Sequence, residues 1–379
     1  MSVSQIVDAI PGSPSLAPAI ANGVLALLLT CWLTRRGLRA CETRPGFAPF
    51  GWGACAGGLA MLLTWGCLTR GWQQTPEVMP GEWSWLLRPT FHSLLITLLA
   101  VASATDLRTY YILDSTTVNG MLLALVGATL LGELQLVHIW VDWNAEVPQL
   151  QGPYIPGWLA EYPRLHGLAW SGTGLVVGGG IVWLARVGAS MLLGQEALGF
   201  GDVTLMAMIG AFIGWQPVII AFLIAPVCAV LIGVLVRVVS SRTYVPYGPF
   251  LALATLLVLF GWRAIWMFEL NIASDRGAPI SKSTFALRRL FGDAEGLAIL
   301  GGMFVVGLLV LLGLWRMYLS IPVNRRSSDG APELSAAQAA ASAVAPASTR
   351  EPEKQELGTQ EPRSQVPGSQ ASGEHESTK

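Results

Sequence analysis

The chain has 379 residues, of which 53% are hydrophobic and only 12% are charged, and its formal net charge is −1. Soluble domains carry roughly a quarter charged residues, so this composition excludes an ordinary soluble protein. It also gives no sign of a nucleic-acid partner, because Lys and Arg are not concentrated beyond short arginine clusters. The five cysteines form no C-x-x-C pair, and we expect neither a metal site nor a cofactor.

Apolar runs long enough to cross a membrane follow one another along most of the chain. A helix of about 20 apolar residues crosses the roughly 30 Å hydrocarbon core and satisfies its own backbone hydrogen bonds there. The sequence therefore predicts an all-α, multi-pass membrane bundle. Its nine expected helices, or eight if the pair around Gln216 and Pro217 is miscounted, lie near 17–33, 50–68, 89–105, 115–136, 167–187, 203–215, 217–236, 248–267 and 296–319.

Arginine clusters indicate the orientation of these helices. No Lys or Arg precedes the first run, so we expect a permanent span rather than a cleaved signal peptide. The positive-inside rule then predicts an exported N-terminus and cytoplasmic loops wherever arginines follow a span. These arginines are Arg35, Arg36, Arg39 and Arg44, then Arg237 and Arg242, and finally Arg325 and Arg326. Arg288 and Arg289 conflict with the rule, since they fall in a loop that the same alternation exports.

Two segments differ from the rest in composition. Residues 138–166 are rich in Trp and Pro, which predicts an exported loop at the membrane interface. From about Ser327 the chain is rich in Ala, Ser, Pro, Glu and Gln, which predicts a disordered cytoplasmic tail. We therefore divide the chain into an N-terminal membrane region (1–85), a central membrane domain (86–268) with an exported insertion near 138–166, a loop with a last span (269–326) and the tail (327–379).

Three aspartates lie at or next to the ends of predicted helices. Asp106 ends one span in SATDLRTYYILDSTT, Asp114 precedes the next, and Asp202 begins a third in LGFGDVTLMAMIGAFIGW. The alternation of spans puts all three on the cytoplasmic side. Carboxylates at the edge of the hydrocarbon are costly, so a function is the default hypothesis, although Asp202 alone could simply cap its helix.

We expect Asp106 and Asp202 to form a pair. Two aspartates close together in a partly dry site cannot both ionise cheaply, so they share a proton. The ionised member can take a proton from water while the protonated member polarises a peptide carbonyl. Gly199 and Gly201 are expected to allow backbone conformations closed to other residues and a close approach of another chain.

Three motifs carry a resemblance to a known family. The stretches TDLRTYYILD, ALGFGDVTLMAMIGAFIGW and VPYGPFLALATLLVLFGW resemble the type IV prepilin peptidase family, membrane aspartic peptidases of the GxGD type. Asp106 and Asp114 keep the family's spacing of eight residues. The Gly-x-Gly-Asp and Phe-Gly-Pro-Phe motifs correspond to Gly199, Phe200, Gly201 and Asp202, and to Tyr247, Gly248, Pro249 and Phe250.

The resemblance implies residue roles, a substrate and a location. Asp106 and Asp202 would be catalytic, with Gly199, Gly201, Asp114, Gly248 and Pro249 in support. The enzyme would cut the basic leader from type IV prepilin-like or pseudopilin precursors at the cytoplasmic face of the bacterial inner membrane. Its partners would be these precursors and the lipid bilayer.

The sequence also departs from the family. Leu113 replaces the proline of the family's Ile-Pro-Asp turn, and the zinc-type cysteine pairs of many members are absent, so methyltransferase activity is not expected. Two other functions stay open. One is a catalytically inactive scaffold of a pilus or secretion assembly, and the other is a transporter that couples to membrane carboxylates.

Overall fold

The computed structural model describes residues 16–78, 81, 83–141, 156–193, 199–239, 246–272, 283–292, 294–302 and 305–306. Within these residues, seven helices are long and apolar enough to cross a membrane. The chain is thus a multi-pass membrane protein, as its composition predicts. The seven helices are α1 (Leu16–Ala40), α2 (Ala48–Arg70), α3 (Ser84–Thr109), α4 (Asp114–Leu131), α6 (Pro163–Leu193), α8 (Trp215–Val239) and α9 (Gly248–Trp266).

Shorter elements complete the described fold. Helix α7 (Phe200–Ile213) is apolar but has only 14 residues. Helices α5 (Trp158–Glu161) and α10 (Leu287–Gly292) are a turn or two long. Strands β1 (Glu269–Ile272) and β2 (Ser283–Ala286) form an antiparallel pair with Glu269 opposite Ala286. This small hairpin was not expected from the sequence.

Several predicted boundaries need correction. Helix α1 continues to Ala40, so Arg35, Arg36 and Arg39 lie in its last turns rather than in a loop. The expected exported loop 138–166 contains α5 and the start of α6. The ninth expected span, 296–319, lies mostly outside the described residues, and the predicted disordered tail lies wholly outside them.

The break between α7 and α8 is set by a glycine. Gly214 has φ +86°, a conformation that side-chain-bearing residues rarely adopt, and a Cβ there would run into the Trp170 ring. Gln216 and Pro217, which suggested the boundary in the sequence, lie in the first turn of α8. Proline is tolerated in a first helical turn because its missing N–H has no partner there anyway. The prediction of two helices in this region is therefore confirmed, with the break three residues before the proline.

Helices α3 and α7 form the interior of the bundle. In α7 every residue from Leu205 to Ile213 is buried, and Leu95, Ile96 and Leu99 of α3 are almost fully enclosed. Helices α6 and α7 approach so closely at Gly174 and Gly210 that a side chain on either would meet the other's backbone. The two helices that carry Asp106 and Asp202 are thus held rigidly by packing.

Helix α1 joins the N-terminal region to α3 through a polar contact. The Asn22 amide nitrogen lies 3.0 Å from Oγ1 of Thr64 in α2 and 3.0 Å from Oγ1 of Thr90 in α3. A hydrogen bond inside a bundle is a specific contact between helices, worth on the order of 1 kcal/mol. The division between residues 1–85 and 86–268 nevertheless remains a prediction.

The helices alternate in direction, so the bundle has two distinct ends. At the aspartate end, defined here as the end where α3 finishes and α7 begins, Gly37 of α1 lies beside Thr105, and Arg186 of α6 lies over the Phe200 ring. At the opposite end the Trp215 indole donates to the Ile139 carbonyl at 2.7 Å. Arg288 also lies at that opposite end, beside Glu269.

Candidate active site

Asp106 lies in the last turn of α3, and its carboxyl faces the start of α9. The side chain is 6% exposed. The backbone N–H of Gly248, the first residue of α9, donates to Asp106 Oδ2 at 3.1 Å. The first N–H groups of a helix have no partner within it, so this carboxyl satisfies one of them and sits at the positive end of the α9 dipole.

Asp202 lies in the first turn of α7 and is 8% exposed. Its backbone N–H donates to the Gly199 carbonyl at 3.3 Å. Ile112 links Asp202 to Asp106, because this side chain lies 3.2 Å from the Cβ position of Gly201, next to Asp202, and 3.2 Å from that of Gly248, whose N–H binds Asp106. The structure therefore brings together the two aspartates that the sequence paired, each at a helix N-terminus that favours negative charge.

The glycines of the motifs provide space rather than unusual backbone conformations. Gly199 caps α7 with φ −69° and ψ 150°, and Gly201 lies within α7 without a positive φ. The expectation of conformations closed to other residues is therefore wrong at both positions. A Cβ at Gly201 would lie 3.2 Å from Ile112 Cβ, and a Cβ at Gly248 would lie 2.5 Å from Asp106 Oδ2. At Gly201 and Gly248 it is the packing within this chain that needs the space, and the expected approach of another chain stays a prediction.

Asp114 lies apart from the pair. It is exposed at the start of α4, where its Oδ2 accepts the Tyr111 hydroxyl at 3.1 Å. This hydrogen bond to the carboxylate is the main cause that raises the pKa of Tyr111. The positive end of the α4 dipole also stabilises a negatively charged side chain in this first turn. The arrangement suits a residue that shapes the turn.

The turn between α3 and α4 has Leu113 at the position where the resembling motif has a proline. Tyr110 caps α3 in the left-handed region, with φ 55°, and its N–H donates to the Asp106 carbonyl at 2.9 Å. Leu113 then has φ −69° and ψ 122°. Proline fixes φ near −65°, so Leu113 holds the conformation that a proline would adopt.

Sequence reasoning missed three contributors around the pair. The Gly248 N–H could not be recognised as a donor, because it lies 142 positions from Asp106. Tyr247 lies near Asp202; burial, followed by that charge, raises the pKa of its hydroxyl. Ile112 packs between the two motif glycines. Its signals in the sequence were its place as the first residue of the turn that resembles the family's Ile-Pro-Asp motif and its β-branched apolar side chain in a short loop at the membrane edge.

The described residues contain no group of three or more His, Cys, Asp or Glu side chains that could hold a metal ion. The groups that the described residues place at this site are the two carboxyls and the backbone N–H of Gly248. Two adjacent carboxyls of this kind can activate a water molecule and polarise a carbonyl together.

The chain is similar to known proteins over part of its length. The model of the type IV leader peptidase family matches residues 159–234, a range that contains Asp202 but neither Asp106 nor Gly248. The prepilin leader peptidase/N-methyltransferase of Pseudomonas putida is 37% identical over 95 residues, covering 24% of this chain and 31% of the relative. Its counterpart in Stutzerimonas stutzeri is 29% identical over 150 residues, covering 39% and 49% respectively.

A third relative matches a similar share of the chain. The Escherichia coli (strain K12) protein of the same name is 33% identical over 88 residues, covering 23% of this chain and 39% of the relative. No solved structure matches the chain. The matched parts span less than half of each of these three relatives. Within these limits the resemblance expected from the motifs is confirmed: this membrane protein contains a segment, residues 159–234, that matches the type IV leader peptidase family.

Proposed function

We propose that the protein is a membrane aspartic endopeptidase that removes the leader from type IV prepilin-like or pseudopilin precursors. The observation that carries the proposal is the placement of two buried carboxyls, Asp106 and Asp202, at one end of the bundle, where Ile112 packs against both Gly248 and Gly201. They come from helices separated by almost a hundred residues, so their proximity is a product of the fold. The names of the relatives support the substrate class.

The proposed reaction uses the pair as one unit. The ionised carboxyl takes a proton from a water molecule, whose oxygen attacks the scissile carbonyl carbon. The protonated carboxyl donates a hydrogen bond to the carbonyl oxygen. The proton shared at the start is then available to the leaving amine. Which aspartate holds it in the resting state is a property of the pair, not of either residue.

We place the reaction at the cytoplasmic face of the bacterial inner membrane. Arg35, Arg36, Arg39, Arg108 and Arg186 lie at the aspartate end, as the positive-inside rule requires of a cytoplasmic end. The opposite end also carries arginines. Arg88 is buried there and Arg288 pairs with Glu269, but Arg70, Arg164, Arg263 and Arg289 are exposed, so the placement rests on the cluster at the end of α1 and not on a difference in arginine number between the two ends. Cysteine-accessibility labelling should find the loop 41–47 cytoplasmic, and an exported loop would contradict the placement.

The two rival functions differ from the proposal in what they require of the pair. Transporter carboxylates usually lie near the bilayer midplane at broken helices, whereas Asp106 and Asp202 lie at helix ends, which favours the peptidase. An inactive scaffold would have the same geometry, so only an activity measurement separates it from an enzyme.

The test is cleavage of a prepilin-like precursor by the full chain in membranes. Asp106→Asn and Asp202→Asn should each abolish cleavage while the protein still inserts, since asparagine keeps the size but cannot ionise or share the proton. The double variant should be hardly worse than either single variant, because the two groups act together.

Asp114→Asn is the matched control, because it makes the same chemical change at an exposed aspartate of the same turn. It should retain measurable activity. Near-wild-type cleavage by either Asp106→Asn or Asp202→Asn would refute the assigned pair. A folded wild-type protein that cleaves no prepilin-like precursor would favour the scaffold instead.

A further inference from the structure

Ile112 is a buried side chain in an otherwise open turn. Its neighbours Tyr110 and Tyr111 are exposed, and Leu113 is half-buried, but Ile112 is only 4% exposed. It lies between the end of α3 and the start of α4, six residues after Asp106. The turn therefore directs one apolar side chain inward, towards the aspartate end of the interior.

The side chain fills the space left by two motif glycines. The Cβ position at Gly201 is 3.2 Å from Ile112 Cβ and 3.5 Å from its Cδ1. The Cβ position at Gly248 is 3.2 Å from the same Cδ1. One methyl group thus touches the backbones of α7 and α9 at once. Gly201 adjoins Asp202, and Gly248 donates its N–H to Asp106.

We propose that Ile112 is a positioning residue for the aspartate pair. Its side chain sets the separation of α7 and α9 and keeps the Gly248 N–H hydrogen-bonded to Asp106. Its relevance to catalysis rests on the proposed peptidase function. The positioning itself does not, because it concerns the distance between two helix N-termini.

The packing explains why shortening the Ile112 side chain should disturb the aspartate pair. Interiors are close-packed, so removing one methylene leaves a gap that the neighbours fill only in part. At most buried positions the result is a loss of stability. At Ile112 the elements that would move are α7, which carries Asp202, and α9, whose Gly248 N–H binds Asp106. A displacement of about 1 Å at a catalytic group can cost about a hundredfold in rate.

The experiment compares Ile112→Val and Ile112→Ala with Ile96→Val and Ile96→Ala. Ile96 is 1% exposed and lies ten residues before Asp106 in α3, about 15 Å along the helix. We expect Ile112→Val to lower kcat about tenfold and Ile112→Ala about a hundredfold, with KM within about twofold of wild type. The Ile96 variants should lower the melting temperature similarly but leave kcat within about twofold. Ile112→Leu, which keeps the volume, should recover most of the activity.

A second measurement needs no activity. Hydrogen exchange of the Gly248 amide in the full chain should be at least about tenfold faster in Ile112→Ala than in wild type, and unchanged in Ile96→Ala. If the wild type proves inactive but this exchange difference is found, the proposed function fails while the positioning role stands. A Gly248 amide that stays equally protected in Ile112→Ala overturns the positioning role. Wild-type kcat in Ile112→Ala overturns its part in the reaction.

Discussion

Replacing Gly248 with alanine tests the contact on which the pair's geometry depends. The added Cβ would lie 2.5 Å from Asp106 Oδ2, whereas ordinary contact begins at 3.4 Å. The carboxyl or the start of α9 must therefore move by about 0.9 Å, the difference of these two distances. Such a shift breaks the 3.1 Å hydrogen bond from the Gly248 N–H.

The size of the effect follows from that lost bond. A hydrogen bond to a charged group contributes about 1.5–3 kcal/mol, and each 1.4 kcal/mol corresponds to about tenfold. We therefore expect Gly248→Ala to lower kcat/KM for a prepilin-like precursor by about 10- to 100-fold. The lost bond should also lower the free energy of unfolding, and the higher helix propensity of alanine, up to about 1 kcal/mol, offsets only part of that loss.

The assay is precursor cleavage by membranes that contain equal amounts of each variant, together with a thermal melt. Gly58→Ala in α2 is the matched control, because nothing lies within 4 Å of its Cβ position. This control should cleave like the wild type. Cleavage by Gly248→Ala within about threefold of wild type, with the melting temperature preserved, would refute the argument that the close approach of Gly248 positions Asp106.

Three further predictions concern Leu113 in the turn between α3 and α4, Asp114 in the same turn, and the effect of chelators on cleavage. Leu113→Pro should retain cleavage and change the free energy of unfolding by less than about 1 kcal/mol, because Leu113 already has φ −69°; loss of the folded protein in a melt would contradict this. Asp114→Asn should keep at least about a tenth of wild-type cleavage, since an amide can still accept the Tyr111 hydroxyl. Chelators should leave cleavage unchanged, and a loss of activity restored by added metal would contradict a mechanism based on carboxylates.

The sequence predicted the membrane spans well because hydropathy reports what crosses the hydrocarbon. It misplaced the end of α1 for the same reason. Arg35, Arg36 and Arg39 are polar, so the apolar run stops before them, yet arginine is a good helix former and the helix continues to Ala40. Hydropathy therefore gives the length of the span and not the length of the helix.

The candidate site was predictable in its charged members and not in its packing. Asp106 and Asp202 were paired from the alternation of spans, which is a rule about sides of the membrane. The contact between Gly248 and Asp106 depends on how α9 docks against α3, and no local pattern encodes that approach. The same holds for Ile112, whose partners come from two other helices. Motif glycines indicate where such close contacts occur, but they do not identify the residue that makes the contact.

The lengths of α7 and α9 indicate where the pair would lie in the membrane. The 14 residues of α7 span about 21 Å, against about 30 Å for the hydrocarbon core. Helix α9 has 19 residues, about 28 Å, and the N–H of its first residue, Gly248, binds Asp106. Asp106 therefore lies almost a full core thickness from the far end of α9, near the membrane surface at the aspartate end. This depth suits a substrate whose apolar helix begins beside the scissile bond.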